Sequence, residues 1–150
     1  FRQKHIGFIF QTYNLLPYMT ALENTALPLM FQGYGRGERE KRAASLLKKV
    51  GLAERMYHYP SQMSAGQQQR VGIARAFAAN PEVIFADEPT GNLDTKTTAQ
   101  IMEMMMEIAR KKNQTIVLVT HDPQMAAYAD RILTLIDGNI IKEQRREERE

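Results

Sequence analysis

The chain has 150 residues, 43% of them hydrophobic and 25% charged, and no cysteine. That balance is globular, so collagen-like and wholly disordered chains are excluded, as are disulfides, thiolate metal sites and cysteine nucleophiles, and no apolar stretch approaches the roughly 18 residues of a membrane span. Net charge is only +3, yet residues 1–80 carry 11 basic and 4 acidic side chains and residues 81–150 carry 9 and 13, so the first half could face phosphate, nucleic acid or an acidic partner, or simply carry one solvated helix face over 36–49.

The opening Phe-Arg-Gln-Lys-His lacks the apolar core and cleavage site of a secretory signal, so a non-secreted domain is expected. His5 to Phe10 reads as a buried strand, and a sequence that opens inside a core strand looks cut rather than complete. Asn14 and Pro17 mark a loop. Thr20 caps a helix to about Met30, with Glu23 completing a capping box. Glu38 to Val50 is amphipathic, with Ala43, Leu46, Leu47 and Val50 on one face, and Gly51 ends it. Leu52 to Tyr59 reads as a short helix broken by Pro60. Ser64 opens a helix that runs to Ala79 and stops at Asn80-Pro81. Val83 to Ala86 is a short strand. Thr95 to Lys112 is a helix with Ile101, Met104, Met105 and Ile108 inward. Thr115 to Thr120 is a β-branched strand. After a helical turn at 123–128, Arg131 to Ile136 is a fourth strand, and Asp137-Gly138 turns it into Asn139 to Ile141. The tail from Lys142 to Glu150 reads as a solvated helix or a frayed end. Residues 12–80 are thus nearly all helix. Residues 81–141 alternate strand and helix, which implies a parallel sheet.

Three places carry chemistry. Asp87 and Glu88 leave the C-terminal end of a strand, the end at which ligands bind in open α/β sheets. They suit a magnesium–phosphate site, or else form a solvated acidic turn. Ser64-Ala65-Gly66-Gln67 opens a helix. Ser64 and Gln67 fit a capping box, and the same helix end offers backbone N–H groups to an anion. His121 follows a strand placed next to that of Glu88. It is either structural or a group that contacts a γ-phosphate or orients water.

Taken in order, these residues resemble the ATP-binding subunit of an ABC transporter over nearly the whole chain. Phe8-Ile9-Phe10-Gln11 resembles the Q-loop, Ser64 to Gln68 the signature motif, Val83 to Glu88 the Walker B strand with its glutamate, Asn92-Leu93-Asp94 the D-loop and His121 the switch histidine. Pro89 to Asp94, with Tyr59-Pro60, is most similar to the branch exporting lipoproteins, macrolides or antimicrobial peptides. The resemblance implies an α/β fold: a partial P-loop NTPase (RecA-like) core with a helical signature subdomain. It divides the chain into residues 1–11 (end of a core strand and Q-loop), 12–80 (helical subdomain) and 81–150 (C-terminal part of the core).

It also implies ATP and Mg²⁺ as ligands. Gln11 and Asp87 would meet the metal, Glu88 would be the general base, and His121 would contact the γ-phosphate. Ser64, Ala65, Gly66 and Gln67 would reach the nucleotide of a second ATP-binding subunit, and Asp94 would couple the two sites. The implied partners are that second subunit and a transmembrane permease, with no nucleic acid. The implied location is cytoplasmic, peripheral on the inner face of the membrane. The permease would dock near Tyr13, Leu15, Leu16, Tyr18 and Met19.

Two departures stand out. Ala65 occupies a position where the family usually has glycine, and no stretch matches G-x-x-x-x-G-K-[ST]. The second departure leaves two readings. One is a transport ATPase whose 150 residues are inactive by themselves. The other is a non-catalytic fragment or binding module unable to hold ATP. The sheet faces of residues 81–141 are expected to lack partners.

Overall fold

The computed structural model describes residues 2–146. They fall into two units, one up to Val119 and one from Thr120. Among the described residues no helix is long and apolar enough to cross a membrane.

The first unit starts with a helical turn, α1 (Arg2–His5), which the sequence reading had not assigned. Three strands follow in chain order: β1 (Ile6–Phe10), β2 (Val83–Asp87) and β3 (Thr115–Val119). They form one parallel sheet in the order β1-β2-β3. The registers run Phe8↔Phe85↔Val117 and Phe10↔Asp87↔Val119. Ile9, Ile84 and Ala86 are buried on one face. The other face carries Phe8, Phe85 and Val117, which are 42%, 38% and 39% exposed, so only one side of this sheet is packed within the unit. The rings of Phe8 and Phe85 stack there, with centroids 5.8 Å apart.

The packed side meets helices. α2 (Ala21–Phe31), α3 (Arg36–Lys49) and α4 (Ala65–Ala78) pack against one another, and α5 (Thr95–Lys111) follows β2. The Thr20–Glu23 capping box forms as the sequence predicts. α3 starts two residues earlier than expected. Arg36–Glu40 and Glu38–Arg42 pairs, four residues apart, support its first turns. In α5, Ile101, Met105 and Ile108 are buried as expected. Met102 and Ala109 are buried as well, and Met104 is only half-buried. Gly7 lets α4 settle on β1: a Cβ there would lie 2.6 Å from the Ala76 carbonyl oxygen.

Two sequence expectations are corrected. Leu52 to Tyr59 is not one helix but a short 3₁₀ turn (Ala53–Arg55), followed by another at Pro60–Gln62. The carbonyls of Met56 and His58 accept instead from Leu22 N–H and Ala21 N–H, both at 2.9 Å. Those amides are first-turn donors that α2 cannot satisfy internally. The tail is neither helical nor frayed as far as it is described.

That tail belongs to the second unit. α6 (Pro123–Ala126) precedes an antiparallel hairpin of β4 (Arg131–Ile136) and β5 (Asn139–Arg145). β4 therefore pairs with β5. Asp137 and Gly138 turn the chain with φ of +49° and +78°, as a two-residue hairpin needs. Glu143 sits between Arg131 at 2.9 Å and Arg145 at 3.2 Å, which draws residues 142–145 into the strand. The remainder of the expected tail, 147–150, lies outside the described residues.

The end of the loop after β1, residues 16–20, is held by the buried side chain of Asn24. Asn24 accepts from Leu16 N–H at 2.8 Å and donates to the carbonyls of Leu16, Met19 and Thr20 at 3.0–3.1 Å. Asn24→Ala leaves several of these groups unpaired. It is expected to lower the unfolding free energy by about 2–4 kcal/mol in urea denaturation, more than one ordinary hydrogen bond is worth. A loss under about 1 kcal/mol would contradict this role.

Candidate functional site

Parallel strands in register end at one edge, so β1 and β2 deliver their last residues together. Gln11 directly follows Phe10, which pairs with Asp87. Both Gln11 and Asp87 are exposed at that edge. Glu88 follows with φ of +44°, a left-handed conformation uncommon outside glycine. Its N–H donates to the Val119 carbonyl at 2.9 Å, and its own carbonyl accepts from Gly91 N–H at 3.1 Å. The turn after β2 is thereby fixed at both ends, a setting in which local strain persists.

The turn then reaches back to Gln11. Asn92 Nδ2 donates to the Gln11 carbonyl at 3.2 Å, and Gln11 Nε2 lies 3.5 Å from Asn92 Oδ1. A Cβ on Gly91 would come within 2.6 Å of Gln11 Nε2. Gly91 is thus the residue over which the glutamine side chain lies.

The second cluster surrounds the start of α4. The expected capping box is present: Ser64 Oγ accepts from Gln67 N–H at 3.2 Å, and Gln67 Oε1 accepts from Ser64 N–H at 3.0 Å. This uses one first-turn amide, and helix geometry gives those of Ala65 and Gly66 no intrahelical acceptor. Ala65 is the exposed first residue of the helix, where a methyl group meets no backbone restriction. Asp94 caps α5, accepting from Thr97 N–H at 3.0 Å and Thr97 Oγ1 at 2.6 Å. The Thr97 hydroxyl and amide hold the Asp94 carboxyl below its usual range. A cavity of about 510 Å³ lies between Ser64–Gln67, Arg70 and Asn92–Asp94. The structure therefore joins the Ser64–Gln67 group to Asp94, and Asn92 links that group to Gln11.

His121 lies in the second unit, exposed and just before α6. Beside it, Asp122 caps α6 by accepting from Gln124 N–H at 2.8 Å.

Magnesium asks for hard oxygen donors, usually one or two carboxylates beside phosphate and water. Asp87 and the Gln11 side-chain carbonyl offer donors of that kind from adjacent strand ends, so the residues present fit the ion. The helix end at Ala65 and Gly66 fits an anion.

Sequence reading passed over Gln69, Gly91 and Thr97 as site residues, and named Asn92 only as part of the D-loop motif. Gln69 did leave a trace: it falls on the stripe Gly72, Ile73, Ala76 and Phe77, and a polar residue there breaks an otherwise apolar face. The approach of Gly91 to Gln11 and of Thr97 to Gly66 exists only once remote segments meet.

Residues 1–91 match the protein family described as ABC transporter. An uncharacterized ABC transporter ATP-binding protein of Methanocaldococcus jannaschii is 50% identical over 142 residues, 95% of this chain and 63% of that protein. The macrolide export ATP-binding/permease protein MacB 2 of Aeromonas hydrophila is 50% identical over 139 residues, 93% of this chain and 21% of its own length. The dimeric, post-hydrolysis structure of the ATP-binding cassette MJ0796 bound to ADP and Pi superposes with a TM-score of 0.85 at 45% identity, covering 96% of this chain and 64% of that one. The chain thus spans less than two thirds of each of these relatives.

Gly66 has a purely internal reason to be glycine. A Cβ there would meet Thr97 Cγ2 at 2.9 Å, and that methyl cannot swing away while its hydroxyl is bonded to Asp94. Gly66→Ala is expected to destabilise the fold less in a Thr97→Ser background, by about 1 kcal/mol of coupling in a double-mutant cycle of denaturation midpoints. Additive effects would contradict the contact.

Proposed function

The chain belongs to the ABC transporter family, and from that premise we propose that it serves in an ATP-hydrolysing subunit that drives export or extraction through a membrane-embedded partner. One observation carries the reading: β1 and β2 end in register, with Gln11 and the left-handed Asp87-Glu88 turn at the same edge. The ATP-binding names of the relatives favour this over a non-catalytic binding module.

Each residue then has a task. ATP with Mg²⁺ supplies the phosphoryl group and the charge that polarises it. Phosphoryl transfer needs positioning and charge stabilisation more than covalent chemistry. Asp87 would hold the metal, with the side-chain carbonyl of Gln11 as a further oxygen donor. Glu88 accepts the proton of the attacking water. Its backbone geometry fits this task, because the turn fastened to Val119 and Gly91 fixes where the side chain starts. His121 is assigned to the γ-phosphate by its motif.

Ser64, Ala65, Gly66 and Gln67 present a helix end to the nucleotide of a second subunit, consistent with the dimeric state of the MJ0796 cassette. Asp94 shares the cavity with that helix end and links it to the Asn92–Gln11 contact. A site completed by dimer closure makes hydrolysis depend on conformation. The permease docks beside the loop after Gln11. Of Tyr13, Leu15, Leu16, Tyr18 and Met19, Tyr18 is the exposed one at 71%, and the others are half-buried. The working location is the cytoplasmic face of a membrane.

In an ATP-binding subunit carrying this sequence, Glu88→Gln is expected to retain ATP binding and to slow phosphate release by about 10²–10⁴-fold, the usual weight of a general base. Normal turnover by that variant would end the assignment. The 150 residues contain no G-x-x-x-x-G-K-[ST] loop, so this polypeptide by itself is expected to release no phosphate above background. Turnover that Glu88→Gln abolishes would contradict that expectation.

A further inference from the structure

Two side chains of α4 reach the segment that presents Gln11. Gln69 is fully buried, and its Nε2 donates to the Phe10 carbonyl at 3.3 Å and to the Pro89 carbonyl. Phe10 directly precedes Gln11, and Pro89 directly follows Glu88. The Gln69 Oε1 is also buried and, among the described residues, has no hydrogen-bond partner. A glutamine with an orphaned acceptor is a poor core residue, since an apolar side chain of similar shape avoids that cost. What the glutamine adds is an N–H pair that grips both strand-end turns.

Arg75 acts on the other side of Gln11. Its Nη2 donates to the Tyr13 carbonyl at 2.9 Å and its Nη1 to the Asn14 carbonyl at 2.6 Å. Tyr13 and Asn14 have φ of +60° and +49°. Two consecutive left-handed residues, neither of them glycine, persist only where their surroundings over-determine them. The rigid guanidinium fork, donating to successive carbonyls, does that here. Burial pushes the Arg75 pKa down, and among the described residues no carboxylate pairs with it. Its charge is spent on backbone carbonyls alone.

We propose that Gln69 and Arg75 are positioning residues for Gln11: they fasten the Phe10–Asn14 segment to α4, so that the helix whose first turn holds Ser64 and Gly66 also places Gln11. The relevance of this to hydrolysis rests on the ATPase reading, but the fastening itself does not.

The test is amide hydrogen exchange on the full chain, which needs neither nucleotide nor turnover and so stands whether or not the ATPase reading holds. Arg75→Gln is expected to speed exchange at Tyr13 and Asn14 by at least about tenfold while α3 amides keep their protection. Arg75→Lys, which can still reach one carbonyl, is expected to recover part of that protection. Gln69→Leu, which keeps the volume, is expected to loosen Thr12 and Tyr13 and supplies the test if Arg75→Gln does not fold. Unchanged exchange over 11–14, or equal acceleration through α2, α3 and α4, would overturn the proposal. The second result would make these residues general stabilisers. In turnover assays of the ATP-binding subunit, Arg75→Lys is expected to lower kcat by about tenfold with KM for ATP within about twofold, as a misplaced contact does. A change confined to KM would also overturn it.

Discussion

The site depends on register. Three parallel strands pair residue for residue, so Phe10, Asp87 and Val119 end level with one another. Side chains that follow those ends inherit a shared edge without any loop having to search for it. The Glu88 amide bonds to Val119, so the turn carrying the proposed base is itself part of the sheet's last rung. A slip of one residue in β2 would turn Asp87 to the packed face and bury a carboxylate among Ile9 and Ile84.

Close approach then converts that edge into a connected unit. Gly7 brings α4 down onto β1, Gly66 lets the start of α4 meet Thr97, and Gly91 lets Gln11 lie over the turn after Glu88. At Gly7 and Gly66 a single added carbon meets a group that cannot easily move, a helix carbonyl or a threonine pinned by Asp94, whereas at Gly91 it would displace the Gln11 side chain from the turn. The chain Gln11, Asn92, Asp94, Thr97, Gly66 runs from the strand edge to the helix end through hydrogen bonds, van der Waals contact and two steps of sequence. A shift at one cluster has a physical route to the other, which is what the proposed site between two subunits would require.

Much of this was legible in the sequence, because periodicity and caps are local. Thr20 with Glu23 and Ser64 with Gln67 announced two helices that start where they should. The 3.6-residue pattern found the buried face of α5, apart from exchanging Met104 for Met102. What failed depended on distant partners. Residues 52–59 have helical composition, but the first amides of α2 claim their carbonyls. Residues 142–145 look like a solvated tail until Arg131, twelve positions before Glu143, pairs with it. The motifs named most of the proposed site, yet Arg75 reads as an ordinary helix cation until Tyr13 and Asn14 fold back beneath it.

The central claim is that Gln11 and the Asp87-Glu88 turn surround the metal-bearing end of a nucleotide. Paramagnetic broadening by Mn²⁺–ATP, bound to the ATP-binding subunit carrying this sequence, tests it directly. The side-chain amide of Gln11 and the backbone amides of Asp87, Glu88 and Gly91 should lose intensity first, while those of α3 remain sharp. Bound Mn²⁺–ATP that leaves the first group sharp, or broadens α3 before it, would contradict the account.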